Sequence, residues 1–228
     1  MAVAVAVADG RYRNQALTTL LVLETFILFV AVPLSSLGTT APLFGASALG
    51  VIVTLTLVVI SPGLISKLLA VLSMILAVGG ASLRVSYPSA MTIWFGHAAV
   101  IVAVLAISLV IGRTVFAPGR VTHHRIQGAV VLYLNIAIAF TSAFRLIAEL
   151  SPGAFAHYPA STAETVAASD MLSFSFTCLT STGLGEMLPL HPVARSLANL
   201  EAVIGQLYLT ILLARLVTLH VAASPERR

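Results

Sequence analysis

Apolar residues in this chain fall in long runs, not at the alternating or three-to-four-residue spacing of a water-facing domain. A bilayer core of roughly 30 Å takes about 20 apolar residues in a helix. Six windows are long enough: residues 16–34, 43–60, 65–83, 90–111, 128–150 and 196–219, the second having the shortest continuous run. Turn-forming residues separate them, including Pro33 to Pro42, Ser61-Pro62-Gly63, Ser86-Tyr87-Pro88 and Ala117-Pro118-Gly119. Between the fifth and sixth windows, residues 151–195 are too long for a turn and too polar to cross a membrane alone. Within them, residues 167–179 read as a short semi-apolar helix with Ser169 and Asp170 as cap candidates. Thr180-Ser-Thr-Gly-Leu-Gly-Glu186 follows. The pattern predicts a helix that enters the membrane, turns at the glycines and returns as extended chain. Backbone of that kind is tolerated at depth where it is buried in protein or lines a watery path.

Composition agrees with the runs. Of 228 residues, 59% are hydrophobic and 9% charged, and the mean hydropathy is +1.04. A soluble domain carries about 25% charged residues, so soluble enzymes and nucleic-acid-binding domains are excluded. The net charge of +4 points to anionic lipid at loop surfaces, not to nucleic acid. The single cysteine, Cys178, supports neither a disulfide scaffold nor a zinc site. Arg11, Arg13, Lys67, Arg113, Arg120, Arg125, Arg227 and Arg228 fall on one side of a six-span arrangement, and only Arg84 and Arg195 lie in the opposite loops. That bias puts both termini in the cytoplasm.

The predicted fold is therefore an all-α integral membrane protein: six transmembrane helices, with a re-entrant helix and glycine loop between helices 5 and 6. Residues 1–15 form a cytoplasmic N-terminus, 16–112 a four-helix unit, 113–127 a basic cytoplasmic linker, 128–219 the module containing the loop, and 220–228 a cytoplasmic tail. Residues 90–111 carry no arginine. A voltage-sensing helix needs several, so steep voltage sensing by that helix is excluded.

The stretch Asp170-Met-Leu-Ser-Phe-Ser-Phe-Thr-Cys-Leu-Thr-Ser-Thr-Gly-Leu-Gly-Glu-Met-Leu-Pro189 resembles the pore helix and selectivity filter of the tetrameric potassium-channel superfamily, in particular its small bacterial members. The family pattern T-T-V-G-Y-G-D is met by Thr180-Ser181-Thr182-Gly183-Leu184-Gly185-Glu186. Glu201-Ala-Val-Ile-Gly205-Gln-Leu-Tyr208 is similar to the family's inner helix, and Gly205 follows Gly185 by 20 residues, the spacing of its hinge glycine. The resemblance covers roughly residues 128–220. It implies a passive potassium, or potassium-preferring, channel, homotetrameric and in a plasma membrane, with a bacterial inner membrane the natural setting. Lipid and potassium or sodium ions are then the partners, with no nucleic acid, no enzymatic activity and no cofactor beyond filter potassium.

Carried over by position, backbone oxygens of Ser181, Thr182, Gly183 and Leu184, with the Ser181 hydroxyl, would coordinate potassium, and Gly185 completes the filter. Thr180 supports it, Glu186 lines the outer mouth and Gly205 is the candidate gating hinge. Filters of this kind replace a cation's hydration shell with carbonyls from four copies. Three departures bear on selectivity. Ser181 lacks the methyl of threonine, Thr182 replaces an apolar valine, and Leu184 lacks the tyrosine hydroxyl. They leave a weakly selective or non-selective monovalent cation channel as the alternative. A proton- or ion-coupled transporter using Glu24 and Glu201 is more distant, because no pair of interrupted helices is visible. An enzyme reading built on Ser47 and His220 fails, because the two fall on opposite membrane faces.

Bland readings stand beside these. Gly205 is also what close helix packing requires. Glu201 has Arg195 and Arg145 as candidate ion partners. Arg145 and Glu149 are spaced for a local pair, and Lys67 is the cation nearest to Glu24. His97 reads as a hydrogen-bonded packing residue, and His123 and His124 as a solvated basic turn or a pH sensor.

Overall fold

The computed structural model describes residues 17–36, 68, 72, 75, 79, 90–116, 123–158, 164–183 and 185–223. Among the described residues, four helices are long and apolar enough to cross a membrane: Leu17–Leu34, Met91–Arg113, Arg125–Leu150 and Pro192–Thr218. They correspond to the first, fourth, fifth and sixth windows of the sequence. The window at 43–60 lies outside the described residues. Of the window at 65–83, Leu68, Leu72, Ile75 and Gly79 are described and helical. Leu68, Leu72 and Ile75 are exposed and recur at one-turn spacing, so they share a face.

The first helix, α1, is the span Leu17–Leu34. It widens to π-helix at Ile27–Ala31 and tightens again over Val32–Ser36. Pro33 supplies the reason, since its ring displaces the preceding turn and removes one N–H from the ladder. Helix α2 is Ala90–Val115 and α3 is His123–Leu150. α3 begins earlier than the Gly128 expected from hydropathy, so part of the basic linker is already helix. Helix α4, Glu164–Leu179, has 16 residues and a length of roughly 24 Å, too short for a bilayer core of roughly 30 Å. Helix α5, Pro192–Ala223, has 32 residues. Its first turn carries proline at N1, and the Val193 N–H donates to His191 Nδ1 at 3.3 Å, which fixes that ring nitrogen as an acceptor.

Two short strands, β1 (Phe155–Ala156) and β2 (Leu188–Pro189), pair antiparallel and join the segment after α3 to the segment before α5. The Leu190 and His191 N–H groups extend the pairing, both donating to the Ala154 carbonyl.

The core has three levels. Leu17 and Leu20 of α1 pack with Ile107 and Ile111 of α2 and Leu132 of α3. In the middle, Leu28 meets Val104, Leu134, Ile138 and Leu172, which carries α1 onto α4. At the β1–β2 end, Phe144, Phe155 and Phe174 make edge-to-face pairs with centroids 5.0, 5.6 and 6.0 Å apart. Such pairs add about 0.5–1.5 kcal/mol each beyond their buried area, and they pin the second half of α4 at Phe174. At the other end, Arg215 of α5 donates to the Phe116 carbonyl at 2.6 Å and lies over its ring. A guanidinium there satisfies one of the last carbonyls of α2.

Of these four spans α5 is the least covered. Only 11% of its apolar stretch is buried within the chain, and Leu200, Val203, Leu207, Ile211 and Val217 are all more than half exposed or at half exposure.

Candidate functional site

The site is assembled where α4 ends. Ser181 N–H donates to the Cys178 carbonyl at 3.0 Å, and Thr182 N–H reaches back to the Thr177 carbonyl at 3.1 Å. These two bonds are those of a Schellman cap, which needs a left-handed residue at the first position past the helix. Ser181 occupies it at φ 55°, a conformation that costs a residue with a Cβ about 1–2 kcal/mol. Gly183 follows, also left-handed at φ 66°, where the absence of a Cβ removes that cost.

Thr180, Ser181, Thr182 and Gly183 are exposed in the single chain. Among the described residues, none donates a hydrogen bond to the carbonyls of Ser181, Thr182 or Gly183. Leu184 lies outside the described residues. Gly185 is half-buried, and a Cβ there would sit 3.3 Å from Thr177 Oγ1. Glu186 is exposed, and His157, itself left-handed at φ 59°, holds its carbonyl through Nδ1 at 3.2 Å. The loop is therefore gripped at both ends, while the carbonyls of Ser181, Thr182 and Gly183 accept no hydrogen bond from the described residues.

Side chains brace it from behind. Thr180 Oγ1 donates to the Phe176 carbonyl at 2.6 Å and lies 3.1 Å from Thr182 Oγ1. Gln206 of α5 donates to Ser181 Oγ at 3.2 Å. Tyr133 of α3 donates to the Leu179 carbonyl at 3.3 Å. Gly205 presses against that same carbonyl, so α5 and the last turn of α4 meet through backbone. Tyr208, tilted against Tyr133 with centroids 5.7 Å apart, donates to the Ala129 carbonyl at 2.6 Å.

The remaining sequence candidates are placed as follows. Arg145 and Glu149 pair at 3.4 Å, and buried His97 joins Glu149 at 3.4 Å. Glu201 is fully buried, and its partner is Ser175, not Arg145 or Arg195. Glu24 is buried, and its Oε2 has no partner among the described residues; Lys67 lies outside them. Asp170 falls inside α4 instead of capping it. Burial first, and the charge of Glu186 second, hold its carboxyl above the ordinary value. Among the described residues, no cluster of His, Cys, Asp and Glu is arranged to hold a metal ion.

Sequence reasoning did not single out Tyr133, Ser175, Gln206 or His157. A signal existed for Gln206 and Tyr208, since polar groups inside an apolar span require partners.

Residues 129–221 match the family model described as ion channel. No curated protein matches the chain, and no solved structure does. The match runs from α3 through α5 and includes the whole loop, and it supports an ion-channel family. Together with four apolar helices of membrane-crossing length among the described residues, it supports a membrane protein.

Proposed function

We propose that the chain is a passive, potassium-preferring cation channel in which α4 is the pore helix and Ser181–Gly185 the selectivity filter. Six spans, both termini in the cytoplasm and a plasma-membrane location complete the reading, with no voltage-sensing helix. The observation that carries it is the glycine loop itself. Successive exposed residues, whose carbonyls meet no donor among the described residues, follow the carboxyl end of a helix whose dipole favours a cation there. One chain offers one strip of such oxygens, and a filter needs four, so the functional unit is a homotetramer. The uncovered apolar face of α5 supports that assembly. Glu186 and Asp170, on the far side of the loop, would raise the cation concentration at the outer mouth.

A weakly selective channel is favoured by one specific feature. The Thr180 and Thr182 hydroxyls meet at 3.1 Å, putting polar groups where an apolar side chain would otherwise wall off water.

Reversal potentials of the purified chain in planar bilayers under opposed potassium and sodium gradients test the proposal. Reversal close to the potassium equilibrium potential, abolished by Gly183→Asp, is expected. Reversal close to zero identifies the weakly selective channel. Current that survives Gly183→Asp unchanged refutes the filter assignment.

A further inference from the structure

Glu201 has no exposed surface, lies one turn before Gly205 on α5, and has no charged partner among the described residues. Its Oε1 is 2.6 Å from Ser175 Oγ of the pore helix, and Ser175 Oγ is 2.9 Å from the Ala137 carbonyl oxygen of α3. Each of these oxygen pairs is close enough to require a hydrogen between its members. A serine hydroxyl carries one proton, and the Ala137 carbonyl carries none. The second proton has to come from Glu201. Its Oε2, which is buried with no partner among the described residues, points the same way. A neutral carbonyl oxygen tolerates that position far better than half of an uncompensated carboxylate.

The contact is one rung of a ladder. Glu201 meets Ser175, Gly205 meets Leu179 one turn farther along both helices, and Gln206 meets Ser181 at the first filter residue. These rungs set the register of α4 on α5, and the register places the filter.

We infer that Glu201 is a positioning residue for conduction: a neutral carboxylic acid that donates to Ser175, which donates to Ala137, so that α5, α4 and α3 are locked in the register the filter needs. This rests on the channel reading. Loss of the proton removes the donor and sets an anion against a hydroxyl already committed to Ala137. Among the described residues, Tyr133 on α3 and Cys178 on α4 are the titratable side chains within electrostatic reach of Glu201, and they serve as controls.

The test pairs bilayer currents with infrared spectra of the purified, membrane-reconstituted chain over a pH series. Glu201→Gln keeps a donor toward Ser175 and cannot titrate. It is expected to conduct like the wild type, to lose the wild-type fall in current at alkaline pH, and to lack one protonated-carboxyl carbonyl band. Glu201→Ala is expected to lower current by about tenfold, the size of one lost hydrogen bond, and Tyr133→Phe and Cys178→Ser to keep the alkaline fall. An infrared difference of zero between wild type and Glu201→Gln overturns the protonated state. An alkaline fall retained in Glu201→Gln overturns the positioning role. A wild type that shows the Glu201 band but carries no current refutes the channel reading, and the role in conduction with it, while leaving the neutral acid established.

Discussion

Gly205 of α5 lies directly against the backbone carbonyl of Leu179, the last residue of α4. A Cβ at this position would overlap that oxygen and crowd the carbonyl carbon and the Leu179 side chain. The obstructing atom is backbone at the end of a helix held by Tyr133 and by the Schellman bonds, so it has nowhere to move. The glycine is required here for close approach.

Gly205→Ala is therefore expected to force α4 and α5 apart, at about 1–3 kcal/mol for one added methyl in a tight contact. Denaturant unfolding in detergent measures the loss. A hinge that needs only flexibility predicts unchanged stability with altered gating, and that result would reject the close-contact account.

The first span is part of the same unit. Phe29 of α1 and Phe176 of α4 have ring centroids 5.1 Å apart, and Leu28 packs with Leu172 one turn away. A double-mutant cycle of Phe29→Ala and Phe176→Ala should return a coupling of about 0.5–1.5 kcal/mol. Coupling indistinguishable from zero would mean that α1 does not bear on α4.

Hydropathy made four spans and the short helix legible, because a run of apolar residues needs no knowledge of its neighbours. Helix starts were less so. α3 extends back to His123 and α4 to Glu164 through polar residues that suit a helix but not a bilayer, and α5 begins at Pro192 because His191 caps it. The glycine loop was visible from its residue types. Its bracing was not: Ser175 and Glu201 are 26 positions apart, and Tyr133 and Leu179 are 46 apart. A sequence shows that Glu201 needs a partner without showing which helix brings one. The two-residue strands β1 and β2 are too short to leave any alternation to read.

Asp170, outside the four spans, gives the chain a pH dependence of definite sign. Its ordinary value is 3.8, and burial, with Glu186 adding its charge, raises it in the folded chain. The folded chain thus holds this proton over a range in which the unfolded chain has already lost it, and folding is favoured by acid. The contribution is complete below 3.8 and is lost as the pH rises through the raised value. Asp170→Asn stays neutral throughout, so it should flatten the decline and leave the variant more stable than wild type at neutral pH. Glu186→Gln removes the second cause and should narrow the window from its upper edge. Thermal unfolding in detergent between about pH 3 and pH 8 spans the range in which carboxylates act. Parallel curves for wild type and Asp170→Asn would show that burial of this carboxyl has no energetic consequence.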